Sequence, residues 1–320
     1  MQRFILGNLF LVLTLICTVD GQVTSPSATK ALELSASTQD DKGAVDVDGT
    51  LLLPRTKEPI RAVIVVLGWG VGSSVYKDPA WRHLAEELRC GFLRLVINNH
   101  GGPEDPLDLP VAQQAVRNAS LGGAQALLKL FSEFSRLAGR PELASAKVVF
   151  WGHSAAGSFG TTFAALHPTQ TIAFIRYHSH SRGLPVDLAT VSRIPALIFA
   201  GEKDTTAGVE DSEMLWRSGR SVDAPWTFAL EPGANHASAD ALKTANELAI
   251  PWLRAVMAQR LPSKSGELRV VSGNTGWLAS NRNDEVSPAR SFRHEKDSAS
   301  WLPDQDSAKG WRIVTGGVGR

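Results

Sequence analysis

The sequence predicts an α/β protein in which a mostly parallel sheet lies between two layers of helices. Residues 62–67 form an unbroken run of aliphatic, largely β-branched residues, as in strands that are buried on both faces. Further short apolar runs follow along the chain, and amphipathic helical segments separate them. Strands that alternate with helices form parallel sheets covered on both faces, so we expect a three-layer architecture.

The predicted elements follow in chain order. Residues 49–54 have the pattern of an edge strand that ends at a proline. After the strand at 62–67, further strands are expected at 92–97, 148–151, 172–177, 196–200 and 227–230. Helices are expected at 80–89, 111–137, 155–166, 210–217 and 238–259. The pair Gly122-Gly123 predicts a bend in the second helix, and Pro251 predicts an interruption in the last.

Composition excludes several classes of protein. The 320 residues carry 33 Lys+Arg against 32 Asp+Glu, and a net charge of +1 excludes a strongly basic nucleic-acid binder. The hydrophobic content of 43% is sufficient for a folded core and too high for a disordered chain. Two cysteines exclude a disulfide framework and a zinc site built from cysteines.

The N-terminal segment has the pattern of a targeting sequence. Arg3 precedes an apolar run at 4–19 that is shorter than the ~20 residues of a membrane span, and small residues follow it. We therefore predict a signal peptide at 1–21 and a secreted or periplasmic protein without stable membrane insertion. A retained membrane anchor and a lipoprotein attached through Cys17 are the alternatives. Residues 22–43 are expected to form a flexible linker.

The segment 152–156, Gly-His-Ser-Ala-Ala, follows the predicted strand at 148–151 and directly precedes a helix. This arrangement indicates a nucleophile elbow, a sharp turn that presents a serine hydroxyl above the sheet. Ala156 stands where the pattern usually has glycine, and its small side chain still allows tight packing. We predict Ser154 as the nucleophile.

A serine nucleophile requires a base, and the base requires an orienting carboxylate. On a sheet of this kind they follow the serine in the order Asp or Glu, then His. Asp204 and His236 each follow a predicted strand, in that order. We therefore predict a triad of Ser154, His236 and Asp204, with Glu202 and Asp211 as alternative carboxylates.

The oxyanion of an acyl-transfer reaction requires two N–H donors. The first is expected at Ala155, and the second in the loop after the strand at 62–67. We assign Trp69 as the second donor, with Gly70 as the alternative. The Trp69 side chain is expected either to line the substrate pocket or to pack beneath the loop.

Four positions near these residues are candidate substrate contacts: Gly70, His153, His178 and His180. The last two histidines lie on one face of an extended segment. A metal site would need more ligands, and His100 is the one obvious third candidate. We therefore predict no metal and no cofactor.

Together these residues resemble the α/β-hydrolase superfamily. A narrower resemblance over about 45–260 rests on Asp-Pro-Ala-Trp at 78–81, Gly-Glu-Lys-Asp at 201–204 and the segment 226–233. These motifs are similar to those of secreted polyhydroxybutyrate-depolymerase-like and feruloyl-esterase-like serine esterases, and less similar to those of dienelactone-hydrolase-like proteins. The resemblance implies hydrolysis of carboxylic esters without a cofactor. Leu67 departs from it, because many members have histidine before the oxyanion glycine.

The domain organisation follows from these positions. We expect one hydrolase domain at 44–261 and a C-terminal extension at 262–320 packed on it. The short connection between 177 and 196 leaves no room for a large lid, which predicts an open cleft for bulky, polymeric or carbohydrate-linked esters. We expect a monomer. A peptidase or acyltransferase on the same scaffold is an alternative, as is a non-catalytic carbohydrate-binding protein that uses the tryptophans of the extension.

Overall fold

A computed structural model describes residues 32–100, 111–180, 187–261, 266–283 and 285–316. The predicted signal peptide at 1–21, and Cys17 within it, lie outside the described residues. Among the residues that are described, no helix combines the length and the apolar character needed to cross a bilayer.

Eight strands form the main sheet. They are β1 (Leu32–Gln39), β2 (Val45–Leu53), β3 (Ala62–Leu67), β4 (Cys90–Asn99), β5 (Val148–His153), β6 (Thr171–Tyr177), β7 (Ala196–Gly201) and β8 (Trp226–Glu231). Their spatial order is β1-β2-β4-β3-β5-β6-β7-β8. Strands β3 to β8 are parallel, and β1 and β2 are antiparallel at one edge. The predicted mostly parallel sheet is confirmed.

Nine α-helices accompany the strands in the described parts of the chain. They are α1 (Gly72–Lys77), α2 (Pro79–Glu87), α3 (Val111–Arg117), α4 (Gly123–Ala138), α5 (Ala155–Leu166), α6 (Leu188–Val191), α7 (Glu210–Arg220), α8 (Ala239–Arg260) and α9 (Gln305–Thr315). Helices α3 to α7 pack on one face of the sheet, and α1, α2, α8 and α9 pack on the other. Alternate residues of β3 enter the two cores, which explains its unbroken apolar sequence.

Two expectations about the N-terminal edge are wrong. The expected linker at 22–43 contains strand β1, which pairs with β2 along its whole length. Leu34 and Ala36 on one face of β1 pack against the core, and this alternation is a strand signal within a polar composition. Strand β1 therefore occupies the sheet edge that we expected for the segment 49–54.

The breaks expected in two helices have different outcomes. The bend at Gly122 is confirmed, since a short 3₁₀ turn at Ala119–Leu121 and a left-handed glycine with φ of 105° separate α3 from α4. The prediction that Pro251 interrupts the last helix is wrong, because α8 continues through this residue. Pro251 leaves the Glu247 carbonyl without its helical donor, and α9 approaches that carbonyl so closely that a Cβ on Gly310 would lie 2.2 Å from its oxygen.

The residues after α8 pack against the α8 side of the sheet. Strands β9 (Trp277–Ser280), β10 (Val286–Pro288) and β11 (Ala299–Leu302) form a small antiparallel sheet. The Ser300 hydroxyl donates to the Phe228 carbonyl over 2.8 Å, and the Trp311 indole N–H donates to the same carbonyl over 2.8 Å. Trp301 and Trp311 are fully buried, so neither offers a ring to an external sugar.

Candidate active site

The turn between β5 and α5 holds Ser154 in a strained conformation. Its φ of 57° and ψ of −129° are rare for a residue with a side chain. The neighbouring backbone lies so close that a Cβ on Gly152 would be 2.2 Å from the Ala156 carbonyl oxygen. A Cβ on Gly157 would be 2.5 Å from the Cβ of Ser179. The tight turn therefore requires glycine at both positions and presents the serine above the sheet.

The structure brings together the three residues proposed as a triad. His236 Nε2 lies 2.9 Å from Ser154 Oγ, and His236 Nδ1 lies 2.8 Å from Asp204 Oδ2. Asp204 is buried, whereas Ser154 and His236 are partly exposed. Since the carboxylate can only accept, the His236 Nδ1–H donates to it and leaves Nε2 free to accept the serine proton.

The environment of Asp204 favours its ionised form. Burial alone would raise the pKa of this carboxyl. Hydrogen bonds from His236 and from the amides of Ala207 and Thr206 outweigh burial and lower the pKa. The two amides donate to Oδ1 over 2.9 and 2.8 Å, so they leave Oδ2 to His236. The carboxylate is therefore charged at neutral pH and fixed in orientation.

The other carboxylates considered for this role are engaged elsewhere. Glu202 Oε2 accepts from the Gly233 amide over 2.7 Å, which ties the loop after β7 to the loop after β8. The Lys203 amide donates to the Ala234 carbonyl over 2.8 Å and makes a second link. Asp211 lies in the first turn of α7, where its charge acts on the buried Arg176.

The loop after β3 lies beside the elbow. Gly70 has a φ of 54°, and a Cβ on it would lie 2.0 Å from His153 Nδ1. Trp69 is partly buried and packs against the core beneath the loop. Gly70 is exposed, which leaves it open to a substrate. The loop that carries Trp69 thus touches His153, the residue before Ser154, and Ala155 directly follows Ser154.

Two of the expected substrate contacts are corrected by the structure. His153 and His178 are both buried, and their rings point beneath the loop that carries His236. His153 Nε2 lies 2.7 Å and His178 Nδ1 lies 3.1 Å from the carbonyl oxygen of His236. A substrate cannot reach them, because the His236 loop covers both rings.

His180 is partly buried, and its backbone carbonyl accepts from the Ser158 hydroxyl over 2.7 Å. It therefore lies beside α5, four residues beyond the elbow serine. Among the described residues, no group of three or more His, Cys, Asp or Glu side chains is arranged to hold a metal.

Sequence reasoning missed two residues of this region. Glu231 ends β8, is buried, and places Oε2 2.7 Å from His178 Nε2. Gly201 ends β7, and a Cβ there would lie 3.0 Å from His178 Cε1 and 2.7 Å from the Ala234 carbonyl oxygen. A charged residue at the end of an otherwise apolar strand was the available signal for Glu231.

A family model described as "Dienelactone hydrolase family" matches residues 47–252, which is more than half of the chain. The chain belongs to the dienelactone hydrolase family. It accordingly has the α/β-hydrolase fold. In the sequence analysis its motifs were less similar to this family than to the polyhydroxybutyrate-depolymerase-like group. A search of curated proteins found no match.

Two solved structures with TM-scores above 0.5 share the fold of this dienelactone hydrolase family member. A thermostable esterase is 17% identical with a TM-score of 0.52, and the alignment covers 74% of this chain and 63% of that one. An acylaminoacyl peptidase from Pyrococcus horikoshii is 14% identical with a TM-score of 0.51, covering 74% and 43%. An α/β serine hydrolase without a lid from Xanthomonas campestris is 16% identical with a TM-score of 0.43, covering 76% and 100%. The chain spans less than two thirds of the length of the first two structures.

Proposed function

We propose that this protein hydrolyses carboxylic esters through a Ser154–His236–Asp204 triad and a covalent acyl-serine. The single observation that carries the proposal is the continuous hydrogen-bonded chain from Ser154 Oγ through the His236 ring to Asp204. It joins three loops that follow three different strands, so local structure alone does not create it.

The reaction follows from this geometry. His236 Nε2 takes the Ser154 proton as Oγ attacks the ester carbonyl, and the backbone N–H groups of Ala155 and Trp69 stabilise the oxyanion. The protonated His236 then gives its proton to the leaving alkoxide, which departs as alcohol. Water then attacks the acyl-serine as His236 Nε2 takes its proton, and His236 returns that proton to Ser154 Oγ as the acid leaves. Asp204 stabilises the imidazolium throughout.

The test is hydrolysis of a short-chain nitrophenyl ester by the wild type and by Ser154→Ala. We expect a loss of about 10⁴-fold or more in kcat for the variant. A fluorophosphonate should add to Ser154 of the wild type, as located by peptide mass spectrometry. Equal rates for the two proteins would overturn the triad.

We propose further that the substrate is a bulky ester, either polymeric or carbohydrate-linked. The connection between β6 and β7 is short and contains only α6 among its described residues, which favours an open cleft. Residues 101–110 and 181–186 lie outside the described parts of the chain. A panel of feruloyl, acetyl-sugar and hydroxyalkanoate esters, each beside its matched amide, tests the proposal. Faster cleavage of the amides would favour a peptidase instead.

The carbohydrate-binding alternative has less support, because two of the three tryptophans in the extension are fully buried. We also propose that the protein is exported as a monomer after cleavage near Gly21, which the composition of residues 1–21 supports. N-terminal sequencing of the exported protein tests this. Retention of Met1 or acylation of Cys17 would contradict it, and light scattering measures the oligomeric state.

A further inference from the structure

The buried His178 ring bridges the two ends of the loop that carries the proposed base. Its Nε2 lies 2.7 Å from the side chain of Glu231, where β8 ends and the loop begins. Its Nδ1 lies 3.1 Å from the backbone carbonyl of His236, where the loop reaches the triad. One imidazole that directly follows β6 thus contacts both ends of the loop after β8, the strand two positions away in the sheet.

The partners of His178 determine where its proton lies. A backbone carbonyl can only accept, so Nδ1 carries a hydrogen and donates to it. His153 Nε2 likewise donates to the same oxygen over 2.7 Å. The His236 carbonyl oxygen therefore accepts hydrogen bonds from both His153 and His178. These two bonds fix the orientation of the peptide group that follows His236, the proposed base.

Several features of the surroundings serve this contact. His178 itself has a positive φ of 46°, a strained conformation that the surrounding structure must stabilise. Gly201 has no side chain, which leaves room for the ring. Tyr177 stacks on His178 with ring centroids 4.1 Å apart. The ring can therefore neither rotate nor withdraw without disturbing the core.

The Glu231 carboxyl has no solvent to stabilise a charge. Burial raises its pKa, although His178 and Tyr177 lower it in part. The carboxyl lies 2.7 Å from His178 Nε2 and so holds the ring with Nδ1 facing the His236 carbonyl. The other titratable groups around the ring are Asp204, with Oδ2 4.0 Å from Nδ1, and the imidazoles of His153 and His236.

We infer that His178, held by Glu231, is a positioning residue that fixes His236 through its backbone carbonyl. The inference rests on the proposed function, since it concerns the base of that triad. When the contact is lost, the imidazole can shift relative to Ser154 Oγ. A misplacement of about 1 Å costs on the order of 100-fold in rate.

The experiment compares variants at two positions in the full-length chain. We expect His178→Ala to lower kcat for a nitrophenyl ester by about 100-fold with KM unchanged within about twofold. His178→Asn places an amide donor near the position of Nδ1 and should recover activity to within about tenfold of wild type. Glu231→Gln keeps an amide opposite His178 Nε2 that can donate or accept, and should also stay within about tenfold of wild-type activity. Glu231→Ala removes the contact and should resemble His178→Ala.

Folding is separated from positioning by chemical denaturation, with each kcat expressed per folded protein. His167→Ala is the matched control, because this histidine packs against the Phe163 ring at the far end of α5. Its kcat should equal that of the wild type. Wild-type kcat in His178→Ala, or equal losses in His178→Ala and His178→Asn, would overturn the inference. Failure of the triad itself would instead appear as full activity in Ser154→Ala.

Discussion

The α-carbon of Gly70 lies against the ring of His153, at a distance where any side chain at position 70 would overlap Nδ1. The contact joins the loop after β3, the proposed oxyanion loop, to the last residue of β5, which precedes the proposed nucleophile Ser154. His153 cannot move aside, because its Nε2 is bonded to the His236 carbonyl.

Gly70→Ala should lower kcat/KM at least about tenfold, because the oxyanion loop must move away from His153. It should also destabilise the fold by about 1–3 kcal/mol through strain at a positive φ. Gly139→Ala is the control, since it has a φ of 63° but nothing within 4 Å of the new Cβ. Denaturation and ester kinetics measure both effects. Equal kinetics in the two variants would show that the contact with His153 is unimportant.

Asp204→Asn should lower kcat by about 10³–10⁴-fold, because an amide cannot stabilise the imidazolium of His236. The amides of Thr206 and Ala207 can still donate to the remaining oxygen, so the loop should keep its conformation. Circular dichroism checks the fold, and ester hydrolysis checks the rate. Glu202→Gln is the matched control, and activity equally low in that variant would contradict the assignment of the carboxylate.

The buried ring of His153 predicts that the free energy of unfolding depends on pH. Burial lowers its pKa from 6.5 to about 4. The unfolded chain therefore binds a proton more readily than the folded protein between these values. The free energy of unfolding that depends on a neutral His153 is therefore full above pH 6.5. It falls progressively as the pH drops from 6.5 through 4, by about 3 kcal/mol in total.

The measurement is the free energy of unfolding by urea at pH 7, 5.5 and 4.5. His153→Gln should flatten the decline in this range, since glutamine does not titrate. The exposed His83→Gln should leave the decline as in the wild type. An unchanged pH dependence in His153→Gln would contradict the prediction.

The burial of Trp311 against β8 predicts that the C-terminal extension stabilises the hydrolase domain. Trp311→Ala removes a fully buried side chain and its bond to the Phe228 carbonyl, and should cost about 3–5 kcal/mol. Ile313→Ala, on the exposed side of the same helix, should cost less than about 0.5 kcal/mol. Thermal or chemical denaturation measures both, and equal losses would contradict a stabilising role for the Trp311 contact with β8.

Local patterns predicted much of the fold and of the candidate site. The apolar run of β3 and the helix at Ala155–Leu166 have the predicted bounds, because hydrophobic periodicity depends on neighbouring residues. Strand β1 was missed, since its polar composition resembles a linker and only pairing with β2 stabilises it. Pro251 was misjudged because α9 packs over the carbonyl that the proline leaves free.

The sequence by itself determined the alternation of strands and helices, the turn around Ser154 and the chain order of Ser154, Asp204 and His236. These depend on residue types at short spacing and on the shared edge of parallel strands. Tertiary structure alone decided that His153 and His178 support the His236 carbonyl instead of touching substrate. The reason is physical: which acceptor a buried N–H meets depends on how distant strands pack, and no local periodicity encodes that distance.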